Sequence, residues 1–155
     1  MQIELEINGK KKSFEVEPSI KLIDLLRREG FQGVKKGCNE GHCGSCTVLL
    51  DGKPVLSCIK FAAQADGHSI TTIEGLGTPA DPHPLQREFV DKGAVQCGFC
   101  VPGMILSSKA LLEEEPEPSE AQIKRGLDGN YCRCTGYVKQ IEAVQSAAEK
   151  MRGGA

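Results

Sequence analysis

The sequence predicts an α+β fold in which a small domain of strands and one helix precedes a domain of four helices. Three observations support this prediction. Apolar and polar residues alternate in short runs before residue 75, apolar residues recur at helical spacing after residue 84, and a stretch rich in proline and glycine lies between them. We therefore expect a first domain over residues 1–75, a linker over 76–83 and a second domain over 84–155.

The first domain is predicted to begin with a β-hairpin. Residues 3–7 alternate apolar and polar side chains, and Phe14 and Val16 resume the alternation. Asn8-Gly9 lies between the two runs and is typical of a type I′ turn, which needs positive φ at both central residues. These residues are therefore expected to form the first two strands.

One helix and three further strands are predicted after the hairpin. Ser19 can cap a helix whose apolar face lies within residues 22–26, and Gly30 can end that helix. The strands are expected over residues 47–50, 53–56 and 69–73, with Asp51-Gly52 as the turn between the first two. Hairpin, helix, loop and strands in this order resemble a β-grasp sheet packed on one helix.

The second domain is predicted to contain four helices, over residues 85–90, 104–112, 119–127 and 138–148. Pro102 suits the first turn of the second helix, because proline needs no hydrogen bond there. Ser119 and Gln122 have the spacing of a capping box for the third helix, and Gly129-Asn130 can end it. A four-helix bundle is the expected arrangement.

The composition narrows the classes of function. Acidic residues number 21 and basic residues 19, so the net charge is −2, whereas nucleic-acid binding needs a surplus of Lys and Arg. No apolar run approaches the roughly 20 residues that cross a bilayer. The amino terminus lacks the basic and apolar regions of a secretory signal, so we expect a cytoplasmic location. Thiols stay reduced there, and the eight cysteines are expected to bind metal rather than form disulfides.

Four cysteines of the first domain form the first candidate metal site. They are separated by four, two and eleven residues, and their first two gaps match the spacing of plant-type ferredoxins: Cys38, Cys43, Cys46 and Cys58. Nearby glycines allow positive φ and bring backbone amides towards the sulfurs. Structural zinc sites usually pair C-x2-C motifs, so a 2Fe–2S cluster is favoured over zinc. His42 lies inside the loop and is expected to be exposed rather than a ligand.

Four cysteines of the second domain form the second candidate site. One pair precedes a predicted helix and the other pair precedes the last helix: Cys97, Cys100, Cys132 and Cys134. The spacing alone leaves zinc and an iron–sulfur cluster open. A thioredoxin-like reading of the first pair is disfavoured, because that motif requires a βαβ context.

Three segments together resemble one protein family. GCNEGHCGSCT (37–47), QCGFCVPGM (96–104) and GNYCRCTGY (129–137) look like the signatures of the small iron–sulfur subunit of molybdenum hydroxylases. This group includes xanthine oxidase, carbon monoxide dehydrogenase, nicotinate dehydrogenase and 4-hydroxybenzoyl-CoA reductase. The resemblance spans nearly the whole chain. It implies a plant-type ferredoxin-like first domain and a 2Fe–2S cluster in a second, four-helix domain.

The resemblance also implies roles for residues and partners. The second quartet would lie nearest a molybdopterin cofactor on a large partner subunit, and the first quartet between that site and FAD on a medium subunit. Gln96 matches a family glutamine that hydrogen-bonds the pterin, and the neighbourhood of Cys134 would touch it as well. A hetero-oligomer such as a dimer of heterotrimers is expected. Val101 and Tyr131 depart from the commoner Thr and Leu without altering a ligand.

The expected function is one-electron transfer rather than substrate chemistry. The sequence has no glycine-rich phosphate loop, and its three histidines, His42, His68 and His83, all fall in predicted loops or turns. Substrate chemistry is therefore expected on another polypeptide. Two alternatives stay open from the residues, namely a free-standing two-cluster ferredoxin and a zinc-stabilised interaction module.

Overall fold

The computed structural model describes residues 1–153. Its five strands form one mixed sheet in the order β2-β1-β5-β3-β4. The strands are β1 (Gln2–Ile7), β2 (Lys10–Glu15), β3 (Thr47–Leu50), β4 (Lys53–Leu56) and β5 (Ser69–Thr71). β5 pairs parallel with β1 and antiparallel with β3, so it joins the two hairpins into one sheet.

The two predicted hairpins are present. Asn8 and Gly9 have φ of +50° and +77°, and Asp51 and Gly52 have φ of +48° and +80°, as type I′ turns require. In the first hairpin Ile3 lies opposite Phe14, so the alternating apolar side chains fall on one buried face. Local turn chemistry and the period-two pattern therefore determine both hairpins.

Helix α1 (Leu22–Arg28) packs against this apolar face with Leu22, Ile23, Leu25 and Leu26 buried. The prediction that Ser19 caps this helix is wrong, because α1 begins after Lys21 and no side chain caps it. Two amides of its first turn bind main-chain carbonyls instead. Leu22 N donates to Lys60 O at 2.8 Å and Ile23 N donates to Ser57 O at 3.1 Å. Tertiary contacts thus satisfy the donors that a cap would otherwise satisfy.

The last strand is shorter than predicted. β5 ends at Thr71, and Ile73–Gly75 forms a 3-10 turn. The reason is that Thr72 N donates to the side-chain oxygen of Asn8 at 2.8 Å, in place of a neighbouring strand. The chain then turns away from the sheet, and Ile73 packs against the apolar core of the following helices.

Four helices follow, at the predicted places: α2 (Pro84–Asp91), α3 (Val101–Glu114), α4 (Glu120–Gly126) and α5 (Val138–Arg152). Pro102 lies in the first turn of α3, and Ser119 with Gln122 forms the predicted capping box of α4. Helix α5 packs against α2 and α4, while α3 packs against α2 and α4. Their apolar faces enclose a second core, separate from the one between the sheet and α1.

A third, small apolar cluster lies where α3 runs along the sheet. Leu49 of β3 packs with Leu106 and Ala110 of α3 in a small buried cluster. This contact brings the start of α3 close to the first cysteine loop. Within residues 1–153, none of the helices combines the length and apolar composition needed to cross a membrane.

Candidate metal centres

The first cysteine loop directs backbone amides at a sulfur. The amides of Glu40, His42 and Cys43 lie 3.4, 3.3 and 3.4 Å from Cys38 Sγ. Positive φ at Asn39 and Gly41 turns the chain so that these amides converge. The amide of Glu40, followed by those of Cys43 and His42, lowers the pKa of the Cys38 thiol to about 6. The loop therefore stabilises a thiolate before any metal arrives.

Cys46 and Cys58 form a buried pair beside the sheet. Cys46 immediately precedes β3 and Cys58 follows β4, and their thiols contact each other. Ser57 fixes the pair, because its hydroxyl donates to Cys46 O at 2.7 Å. Burial raises the pKa of Cys46 to about 11, so a metal bound here would have to displace the thiol proton.

The second quartet assembles at the starts of two helices. Cys97 and Cys100 precede α3, while Cys132 and Cys134 precede α5. The Cys100 thiol contacts Cys132, and the Cys134 thiol contacts Cys97. Burial, reinforced by Cys132, raises the pKa of Cys100 to about 12.

Cys132 has a lowered thiol pKa, in contrast to its neighbour Cys100. Burial opposes this shift, but the Thr135 hydroxyl and the amides of Cys134 and Thr135 outweigh it and lower the pKa to about 7. Each quartet thus contains one thiol that its surroundings favour as a thiolate, Cys38 in the first and Cys132 in the second.

The eight thiols, all within the described residues, are free and associate in twos. The pairs are Cys38 with Cys43, Cys46 with Cys58, Cys97 with Cys134, and Cys100 with Cys132. A structural zinc ion needs four ligands around one point, whereas a 2Fe–2S cluster has two ligands on each iron. The donor set therefore fits a binuclear cluster.

A cleft of about 310 Å³ lies between the quartets. Cys38 and Cys43 line one side, the four cysteines of the helical half line the other, and Phe99 and Tyr131 complete it. Tyr131 N donates to Cys43 O at 2.9 Å, which ties the two sites together through the main chain. The approach is close because Gly44 lies against Gly129, where a Cβ on Gly44 would be 2.4 Å from Gly129 O.

Comparisons with known proteins agree with this geometry. A 2Fe-2S iron-sulfur cluster binding domain matches residues 5–70, and a second family, described as a 2Fe-2S binding domain, matches residues 72–145. The nicotinate dehydrogenase small FeS subunit of Eubacterium barkeri is 48% identical over 149 residues, covering 96% of this chain and 95% of the relative. The chain belongs to the small iron–sulfur subunits of the molybdenum hydroxylases.

Further relatives of this small iron–sulfur subunit support the assignment. The nicotine 6-hydroxylase small subunit of Paenarthrobacter nicotinovorans is 44% identical over 148 residues, covering 95% of this chain and 89% of the relative. Quinoline 2-oxidoreductase from Pseudomonas putida 86 contains a chain with a TM-score of 0.94 and 45% identity, with 99% and 97% of the two chains covered. Aldehyde oxidoreductase from Desulfovibrio gigas matches with a TM-score of 0.96 and 43% identity over 100% of this chain and 18% of its own. The family resemblance predicted from three motifs is confirmed, and the subunit serves an oxidoreductase.

Gln96 lies at the exposed side of the second quartet. Its side-chain amide donates to Cys134 O at 3.2 Å, which places it beside the most exposed pair of thiols. The histidines have other roles. His42 contributes its main-chain amide to Cys38, His68 lies 2.5 Å from Asp51, and His83 accepts a hydrogen bond from Leu85 N at the start of α2.

Sequence reasoning missed two polar residues of the second site, Thr135 and Gln140. The Thr135 hydroxyl lies 3.1 Å from Cys132 Sγ, and Gln140 Nε2 lies 3.7 Å from the same sulfur. One signal was available in the sequence. Gln140 shares a face of α5 with Ala143, Val144 and Ala147, so helical spacing places a polar side chain among buried apolar ones.

Proposed function

We propose that this small iron–sulfur subunit holds two 2Fe–2S clusters and relays electrons one at a time between two partner subunits. The first cluster would be held by Cys38, Cys43, Cys46 and Cys58, and the second by Cys97, Cys100, Cys132 and Cys134. Molybdopterin on a large subunit would supply the electrons, and FAD on a medium subunit would receive them. The pairwise association of the thiols supports two ligands per iron in both sites.

The hydrogen bond between Tyr131 and Cys43 is the observation that carries this proposal. Tyr131 is covalently bonded to Cys132, and its amide donates to the carbonyl of Cys43 at 2.9 Å. One peptide unit and one hydrogen bond therefore connect a thiol of the second quartet to a thiol of the first. When bound, the clusters supply one-electron redox chemistry, and the protein supplies this short, rigid connection.

The exposure of the thiols gives the proposed relay a direction. Cys97 and Cys134 are exposed beside Gln96, so a pterin held by the large subunit can reach this edge, where Gln96 offers an amide for hydrogen bonding. At the first quartet, the exposed side chains of Ile59 and Phe61 lie one and three residues after Cys58. These apolar side chains suit contact with a second subunit that holds FAD.

The chain divides into two domains, one for each proposed cluster. We propose a ferredoxin-like domain over residues 1–75, a linker over 76–83 and a four-helix bundle from residue 84 onward, each domain with one cluster. Two separate apolar cores support this division. A reducing compartment such as the cytoplasm suits eight free thiols.

Metal analysis of the chain purified under anaerobic conditions tests the cluster assignment. We expect about four irons and about four acid-labile sulfides per chain, and two distinct EPR signals after reduction. Zinc without labile sulfide would instead establish the interaction-module alternative and overturn the proposal.

Co-purification from the native host tests the partners. We expect the chain to elute with a molybdenum-containing subunit and a flavin-containing subunit after gentle lysis. Elution of a cluster-loaded chain alone would favour the free-standing ferredoxin.

A further inference from the structure

Gln140 is a fully buried polar residue in the first turn of α5. Its Nε2 contacts three acceptors, which lie on two separate segments of the chain. These are Ala94 O at 3.4 Å, Cys132 Sγ at 3.7 Å and the hydroxyl of Thr135. One side-chain amide therefore links the segment before the first cysteine pair to the second cysteine pair.

The orientation of this amide is fixed by Ala94. A main-chain carbonyl only accepts hydrogen bonds, so the nitrogen of Gln140 rather than its oxygen must face it. The opposite atom, Gln140 Oε1, is buried and lacks a hydrogen-bond partner within residues 1–153. The structure thus keeps the donors of Gln140 engaged and leaves its acceptor unsatisfied.

The donors converge on Cys132. The Thr135 hydroxyl accepts from Gln140 Nε2 and from Tyr137 N at 3.5 Å, so its single proton remains for Cys132 Sγ at 3.1 Å. Gln140 Nε2 also faces the sulfur directly. The main-chain amide of Cys132 is directed elsewhere, to the Tyr137 hydroxyl at 2.9 Å. The Thr135 hydroxyl and the main-chain amides of Cys134 and Thr135, rather than the amide of Cys132 itself, therefore donate to this sulfur.

Stability alone does not account for glutamine at this position. The neighbouring positions on the same face of α5 are Ala143, Val144 and Ala147, all of them buried. An apolar side chain would bury no unsatisfied carbonyl oxygen there and would therefore cost less free energy. What an apolar side chain cannot do is donate the hydrogen bond that orients the Thr135 hydroxyl.

We propose that Gln140 is a positioning residue that orients the Thr135 hydroxyl so that its proton points at Cys132 Sγ, and so raises the reduction potential of the second cluster. This inference rests on the proposed function, because it requires a cluster on Cys132. Hydrogen bonds to a ligating sulfur favour the reduced, more negative cluster, which is why their loss lowers the potential. Gln140 thereby sets the difference in potential between the two clusters of the relay.

The test is an EPR-monitored redox titration of the full chain with both clusters assembled. Gln140→Met preserves the length of the side chain and removes its donors. We expect the midpoint potential of the second cluster to become more negative, while that of the first cluster in the same sample stays unchanged. In resonance Raman spectra, the shift of the iron–sulfur stretching bands on transfer to deuterated solvent is expected to be smaller in this variant.

Gln145→Met is the matched control, since Gln145 lies on the same helix but on the surface near Glu117. It is expected to leave both potentials unchanged. Two assembled clusters with an unchanged second potential in Gln140→Met would overturn the inference, and so would an equal shift in the control. If Gln140→Met does not assemble, Gln140→Asn carries the test, because it keeps the amide but withdraws it by one methylene. Failure of the proposed function is distinct, because the unmodified chain would then lack the second EPR signal.

Discussion

Gly103, in the first turn of α3, lies so close to Gly44 that a Cβ on Gly103 would be 2.4 Å from the carbonyl oxygen of Gly44. Gly44 belongs to the first cysteine loop, and α3 begins directly after Cys100. This contact therefore sets how near the two quartets approach each other. It also makes residue 103 sensitive to any added atom.

Gly103→Ala is expected to push the first cysteine loop away from α3. Overpacking of this kind costs about 1–3 kcal/mol of unfolding free energy. Electron transfer between the clusters should slow as well, because the connection between Tyr131 and Cys43 would lengthen. Anaerobic urea unfolding and the rate of electron transfer between the clusters measure the two effects.

Gly153→Ala is the matched control, because a Cβ there meets its nearest atom, Glu149 O, at an ordinary 3.5 Å. It should change the unfolding free energy by less than about 0.5 kcal/mol. An equal change in unfolding free energy in the two variants would show that the contact between Gly103 and Gly44 does not constrain the fold.

The ion pair of Glu88 and Lys150 connects α2 with α5. Glu88 is 1% exposed, and although burial would raise its pKa, hydrogen bonds from Lys150 and Ser146 hold the pKa below its ordinary value. A carboxyl whose pKa is lower in the folded state stabilises the fold above its unfolded pKa, and this stabilisation disappears as the pH falls through the folded pKa. Glu88→Gln should therefore reduce the unfolding free energy at pH 7, by about 1–2 kcal/mol.

The pH dependence provides a second check on Glu88→Gln. The loss of stability should stay constant from about pH 7 to pH 5 and shrink below the ordinary glutamate pKa of about 4.3, where the unfolded chain binds the proton before the native carboxyl does. Glu120→Gln removes the exposed pair with Lys124 on α4 and should have almost no effect, since exposed pairs contribute about 0.5 kcal/mol or less. If the difference in unfolding free energy between the unmodified chain and Glu88→Gln stayed constant down to pH 3, the charge of Glu88 would not be its cause.

Replacing one cysteine in each quartet separates the two clusters. Cys46→Ser should remove the first cluster and about half of the visible absorbance, while substrate still reduces the second cluster in the complex. Cys100→Ser should remove the second cluster and prevent reduction of the first. Rapid mixing of the assembled enzyme with substrate distinguishes these outcomes, and identical kinetics would reject the proposed order of the clusters.

Gln96→Ala tests the proposed contact with the pterin. Because Gln96 is exposed, we expect both clusters to assemble and the unfolding free energy to change by less than about 0.5 kcal/mol. Turnover of the complex should fall all the same. Gln32→Ala is the control, since Gln32 is also exposed and its side chain donates to a main-chain carbonyl, that of Arg27, far from the second quartet in sequence. Unchanged turnover of the complex containing Gln96→Ala would contradict the proposed contact between Gln96 and the pterin.

Elements governed by neighbouring residues were predictable from the sequence. The turn at Asn8-Gly9 and the capping box of Ser119 with Gln122 depend on contacts within four residues, and both are present. The start of α1 was not predictable, because its first amides bind carbonyls more than thirty residues away in the segment around Cys58. Ser19 has the right chemistry for a cap and the wrong tertiary surroundings.

The cysteine quartets follow the same rule. Motif spacing was enough to place the family, but the contact of Cys100 with Cys132 depends on how α3 and α5 approach each other. Gln140 was missed for the same reason, since its contact with Ala94 spans 46 positions of the chain.

The hydrogen bonds between α1 and the segment around Cys58 have a consequence for assembly of the first cluster. Cys38, Cys43 and Cys46 share one stretch of chain and are available as soon as it emerges from the ribosome. The position of Cys58 depends on the carbonyls of Ser57 and Lys60 docking onto the amides of Leu22 and Ile23. A nascent polypeptide thus offers three sulfurs to an iron donor, and only a matured domain presents the fourth.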